Sequence, residues 1–123
     1  MKQERAIKGI GSDLREINCW AREEHHHRMA GIRAGSEWVA GDPEAYSRKT
    51  IEMSLSQQAL EKKQEALTDM REWMQCVDNE YDFEYKVNRD GTISDLVAID
   101  IRSHEAWAII EDEDVDYRIE RQE

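Results

Sequence analysis

At Asp78-Asn79-Glu80 the apolar residues of this chain change their spacing, and that change constrains the fold more than any motif does. Before it they recur at steps of three, four and seven, the repeat of a helix; after it they alternate, the repeat of a half-buried strand. The chain therefore carries a helical part, residues 1–77, and a strand-rich part, residues 78–123. No repeat or Pro/Gly-rich linker separates the two, and 123 residues is the size of one domain. The expectation is a single α+β domain, an N-terminal antiparallel helical hairpin of two long helices followed by a small antiparallel β-sheet.

In the helical part, Ile7, Ile10, Leu14, Ile17 and Ala21 form one stripe. Gly9 and Gly11 interrupt it, which predicts a regular helix from Ser12, a good N-cap, to Gly35 as C-terminal stop. Gly35 to Gly41 then reads as a connection carrying Trp38 and Val39. Asp42-Pro43-Glu44 is the clearest start signal, an acceptor for free N–H groups followed by a residue suited to the first turn. From there Tyr46, Met53, Leu60, Leu67 and Met74 fall seven apart, and a helix from Pro43 to Val77 would run about 50 Å. The intervening positions Thr50, Gln57, Gln64 and Arg71 are polar, which argues against a two-stranded coiled coil. A second row, Ile51, Leu55, Ala59, Ala66 and Trp73, predicts that the hairpin is packed on two sides.

In the strand-rich part, Tyr81, Phe83, Tyr85 and Val87 alternate with polar residues, and Asn88-Arg89-Asp90-Gly91 is a turn. Thr92 to Ile101 reads as a second strand with Ile93, Val97, Ile99 and Ile101 on one face. Asp95 falls on that face too, so either a bulge near Ser94 or an edge position is expected. Residues 103–111 fit either a short helix capped by Ser103 or a third strand, and Val115, Tyr117 and Ile119 mark a last one.

The net charge of −11 is concentrated in this second part. Residues 1–76 hold 12 Lys and Arg against 13 Asp and Glu; residues 77–123 hold 5 against 15, with Glu111-Asp112-Glu113-Asp114 the densest run. Such a field repels phosphate backbones, so direct nucleic-acid binding is not expected, and it attracts basic protein surfaces. The plainer reading is a solvated face that keeps the chain in solution. The longest apolar run is Ala106 to Ile110, far short of the roughly 20 residues of a membrane span. The N-terminus shows no apolar signal segment, and Cys19 and Cys76 are too few for a disulfide scaffold. A cytoplasmic location is expected.

Candidate chemistry is sparse. His25, His26 and His27 invite a metal, and Glu23 and His27 share a helical face, but successive residues on one helix point about 100° apart and cannot converge. An exposed polar turn accounts for them. Asn88 to Ile93 resembles the middle of an EF-hand loop, yet Lys86 and Val97 stand where its first and last carboxylates belong. Asp112, Asp114 and Asp116 fail likewise, because Tyr117 takes the glycine position. Glu84-Tyr85-Lys86 has the short E-x-K form of a metal-dependent nuclease, without a preceding Pro-Asp. No nucleophile elbow or phosphate-binding loop is present. No catalytic residue, metal or cofactor is expected, and the chain reads as a non-enzymatic acidic binding protein.

In size, acidity and lack of catalytic motifs the chain resembles, by general type, small phage-encoded inhibitors, including anti-CRISPR and other anti-restriction DNA mimics. The resemblance implies that it engages and blocks a basic, nucleic-acid-handling partner. The residues expected to stand where phosphates would otherwise lie are Glu111, Asp112, Glu113, Asp114 and Asp116, supported by Glu80, Asp82 and Glu84. Trp38, between glycines and beside Val39, is expected as an interface anchor. The alternatives are an assembly protein that dimerises through its hairpin and, third, a nuclease using Glu84.

Overall fold

The computed structural model describes residues 2–123, and its element order is α1 (Lys2–Val39), α2 (Ala45–Cys76), β1 (Tyr81–Val87), β2 (Ile93–Asp100), β3 (Ala106–Asp112) and β4 (Asp116–Gln122). The helices form an antiparallel hairpin, and the strands form one antiparallel meander in the order β1-β2-β3-β4. This is the α+β architecture that the change of period predicts. No helix among the described residues is long and apolar enough to cross a membrane.

α1 neither starts at Ser12 nor stops at Gly35; it runs unbroken through Gly9, Gly11, Gly31 and Gly35. These glycines answer packing. A Cβ on Gly9 would fall inside the Trp73 ring, and one on Gly11 inside the Tyr117 ring, so each bare backbone position seats an aromatic side chain. The helix ends at Gly41, whose φ of 109° suits glycine. Gly41 N–H donates to the Trp38 carbonyl (3.0 Å) and Asp42 N–H to that of Glu37 (3.0 Å), the pair of reversed bonds that closes many helix ends. Trp38 and Val39 therefore lie on the last turn of α1, and the connection is only residues 40–44. Asp42 acts at the expected place: its side chain accepts the Glu44 N–H (3.0 Å) and its carbonyl that of Ala45 (3.3 Å).

The residues between the two helices are a mixture of small and large. α2 buries Ala45, Ser56, Ala59, Ala66, Met70 and Val77, with Lys49, Glu52, Lys63 and Trp73 completing a strict alternation of four- and three-residue steps. α1 answers with Ala6, Ile10, Asp13, Ile17, Trp20, Glu24, His27, Gly31 and Ala34 at the same steps. This is a two-position seam of heptad spacing. Alanine, serine and glycine fill much of it, notably around Ala59 and Ala34, while Ile10, Ile17, Met70 and Trp73 fill it at the base. Of the second row, Ala59, Ala66 and Trp73 join the seam, while Ile51 and Leu55 are exposed.

The seven-residue row is the flank of α2 that faces the sheet. Leu67 and Met74 pack on a core of Ile10, Leu14, Ile17, Met70, Ile93, Leu96, Ala98 and Ile109. The bulge falls where Asp95 calls for it: Glu84 pairs with Val97 and Lys86 with Ser94, so β2 carries one residue too many, and Asp95 takes φ 55°. The bulge turns Leu96 and Ala98 into the core beside Ile93 and sends Val97 and Ile99 outward, which corrects the expected inward face. Residues 106–112 are strand, not helix, and the turn before them is closed by Asp100, whose carboxylate accepts the N–H groups of Arg102 (2.8 Å) and Ser103 (3.0 Å).

β2 and β3 pair only over Val97–Ile99 and Ala106–Ala108 and then diverge. Asn18 of α1 fills the opening. Its Nδ2 donates to the Ile93 carbonyl (3.0 Å) and to Glu111 Oε1 (2.8 Å), and its Oδ1 accepts the Ile93 N–H (2.7 Å). One buried amide thus supplies β2 with the bonds that β3 does not.

Candidate interaction surfaces

The acidic residues of the tail lie among the molecule's own arginines. Glu111 points from β3 towards α1 and accepts a two-pronged bond from Arg22 (3.0 and 2.9 Å) besides that of Asn18. Burial pushes its carboxyl up, but Arg22 and Asn18 more than offset this and hold it below the usual carboxylate range. Asp112 turns back on its own loop, accepting the Asp114 N–H (2.8 Å) and lying 3.5 Å from Arg118; the Asp114 amide first, then Val115 and Arg118, hold its carboxyl low. Asp116 lies 3.3 Å from Arg15, whose guanidinium also donates to the carbonyls of Asp112 (2.7 Å) and Glu113 (3.0 Å). The expected surface of five carboxylates is therefore divided: Glu111, Asp112 and Asp116 are compensated internally. Glu113 and Asp114 are exposed at the β3–β4 turn, with no ion pair among the described residues.

Glu80, Asp82 and Glu84 are exposed on and just before β1, the edge strand, and none is ion-paired among the described residues. Glu84 and Lys86 are separated by the register shift opposite the β2 bulge. The histidine run lies within α1. His27 is held between Glu52 of α2 (2.5 Å) and Glu23 (3.3 Å), while His25 contacts Arg28 (3.2 Å). No three ligating side chains come together among the described residues. The Asn88–Gly91 turn is closed by its own groups, with Asp90 accepting the Thr92 hydroxyl (2.6 Å) and amide (3.0 Å).

A second surface lies at the other end of the molecule. The sheet packs on the base of the hairpin, reaching α1 near Ala21, where a Cβ on Gly91 would lie 3.8 Å from the alanine methyl. Beyond it residues 25–58 project as an arm, about 20 Å of each helix, which among the described residues the sheet end meets only through the Asp90 turn beside His25 and Met29. The α1 row that meets the sheet through Ile7, Gly11, Leu14 and Asn18 continues at the same spacing to Ile32, Gly35 and Val39. The α2 row continues from Leu67 back to Met53 and Tyr46. On the base these rows are covered; on the arm they are bare. Of thirteen large hydrophobics that stay exposed among the described residues, eight lie on the arm: Met29, Ile32, Trp38, Val39, Tyr46, Ile51, Met53 and Leu55. Val39 is 80% exposed and Ile32 52%, on helices that elsewhere bury this same face.

An apolar groove of about 510 Å³ crosses the two helices here, floored by Gly31 and Gly35 and walled by Ile32, Trp38, Val39 and Met53. Trp38 rests on Tyr46 (ring centroids 5.4 Å) with the Lys49 ammonium 6.0 Å from its ring, so the indole is braced rather than loose. Trp38 is thus the expected anchor that falls on this surface; the acidic candidates lie elsewhere. Ile32, Val39, Tyr46 and Met53 escape a reading of the sequence as site residues because they share the period of true core positions, and nothing local marks where the sheet stops. A cleft of about 680 Å³ between the diverging strands β2 and β3 is lined by Asn18, Arg22, Ser94, Asp95 and Glu111, among others. Comparison of the chain with protein-family models, curated proteins and solved structures finds no match.

Proposed function

We propose that this is a non-enzymatic protein-binding module whose contact surface is the bare apolar face of the hairpin arm. The observation that carries this reading is the placement of the exposed large hydrophobics: most lie on the arm, and four of them, Ile32, Val39, Tyr46 and Met53, lie on the rows that the sheet covers at the base. Isolated apolar side chains are ordinary on a surface, but a contiguous patch around a braced tryptophan and a glycine-floored groove is a docking face. Ile32→Glu with Val39→Lys changes the patch while preserving the arm's charge, and both side chains are exposed, so the fold is retained. Affinity capture from a cell extract, native chain beside this variant, is expected to lose its specific partners with the variant. Capture unchanged by the substitutions would overturn the reading.

A second reading, an acidic surface that engages a basic, nucleic-acid-handling partner, is supported by the uncompensated carboxylates Glu80, Asp82, Glu84, Glu113 and Asp114. Such a contact weakens steeply with salt, whereas an apolar contact does not. Capture that survives 0.5 M salt (about a 4 Å screening length) and is abolished by Ile32→Glu/Val39→Lys favours the arm. Capture lost in salt and in Glu113→Lys/Asp114→Lys favours the acidic face.

A further inference from the structure

We infer that the occupant of the arm's apolar face is the arm of a second copy of this chain, running antiparallel; the inference rests on the reading of the arm as a contact surface. Charge is the first ground. Residues 25–58 hold four Lys and Arg against four Asp and Glu, whereas the remainder holds 13 against 24. The arm is therefore neutral on a molecule of net charge −11. Two copies repel one another through most of their surface, and the arm is where they meet without that penalty. The antiparallel arrangement also sets the two acidic sheets at opposite ends.

Continuity of layers is the second ground. On the base of the hairpin the sheet stands as a second layer over Ile7, Leu14, Leu67 and Met74; over Ile32, Val39, Tyr46 and Met53 that layer ends. An antiparallel arm related by a two-fold axis fills the vacant half, and its own vacant half is filled in return. The result is a four-helix centre flanked by one sheet at each end. Gly35, where a Cβ would meet nothing closer than the Lys49 side chain at 3.6 Å, leaves room for the facing helix to come close. The interface is isologous, so each copy offers the same groove and the same side chains, and the assembly closes at two.

The area is sufficient. Ile32, Trp38, Val39, Tyr46 and Met53 expose on the order of 600 Å² per copy, and the pair buries about 1,200 Å², where specific interfaces begin. Five half-bare side chains of this kind place the association in the micromolar range rather than the nanomolar.

Sedimentation equilibrium of the full chain from about 1 to 200 μM tests this. The expected result is a reversible approach to twice the 14.5 kDa of one chain, insensitive to salt. Ile32→Glu/Val39→Lys is expected to weaken it by about tenfold or more, and Val115→Lys, on the sheet, to leave it unchanged. A helical circular dichroism spectrum equal to the native one certifies that the arm variant is folded. A native chain that remains monomeric throughout overturns the inference, as does a dimer that the arm variant leaves intact. A monomer whose capture of another protein is still lost in the arm variant overturns the inference alone and leaves the arm as a contact surface for a different partner.

Discussion

Asp13 sits in the α1 row that faces α2, 9% exposed, and its Oδ2 has no hydrogen-bond partner among the described residues. Burial first, then the nearby Asp69 and Glu16 carboxylates, push its own carboxyl from 3.8 up to about 6. Between those two pH values the folded chain keeps a proton that the unfolded chain has lost. The stability this group contributes is complete below 3.8 and disappears as the pH rises through about 6. Asp13→Ala, which extends the run of small residues in the seam, is expected to raise stability at pH 7 by on the order of 1–2 kcal/mol in urea denaturation. The gain shrinks at pH 5, and a variant less stable than native at pH 7 contradicts the assignment. Asn18 has the opposite character, a polar side chain in an inward row that is fully used. Asn18→Ala leaves the Ile93 N–H and carbonyl without partners and is expected to cost roughly 2–4 kcal/mol; a loss below about 0.5 kcal/mol would show that water replaces the amide without penalty.

At the scale of elements, the glycines of α1 give a paired test. Gly9→Ala drives a methyl group into the Trp73 ring and is expected to destabilise by roughly 1–3 kcal/mol. A Cβ on Gly35 meets nothing closer than the Lys49 side chain at 3.6 Å, so Gly35→Ala gains about 0.5–1 kcal/mol from helix propensity. Thermal unfolding of both variants settles the pair, and equal signs would mean that packing does not explain the glycines. The same residues show how much of the fold was legible. The hairpin, strands β1, β2 and β4 and an irregularity near Asp95 follow from spacing, because period 3.6 and period 2 leave different marks. The length of α1 was not legible, since a glycine that seats an aromatic from 60 or 100 residues away looks locally like a break. The seam was legible only in pieces, through Ile10 and Ile17 and through Ala59, Ala66 and Trp73; Ala45 and Ser56 carry little hydrophobic signal, and the louder row of Tyr46, Met53 and Leu60 runs beside them. Ser103 promised a helix for residues 103–111; pairing with β4 along the whole of β3 decided for strand.

For the whole molecule, the amount of charge was legible in the sequence and its arrangement was not. Arg15 and Arg22 lie about 90 residues before the carboxylates they meet, so Glu111 and Asp116 read as free when they are pairs closing α1 onto β3 and β4. What remains unmatched is spatially split: carboxylates on the sheet end, apolar side chains on the arm. We propose that the arm's bare face is the surface through which the protein associates. Hydroxyl-radical footprinting of the chain, free and in its associated state, tests this most directly because it reads each exposed side chain separately. Protection of Ile32, Trp38, Val39, Tyr46 and Met53, with Tyr85, Val87 and Val115 unchanged, is the predicted result. Protection centred on β1 and the β3–β4 turn, with the arm still fully reactive, would contradict it.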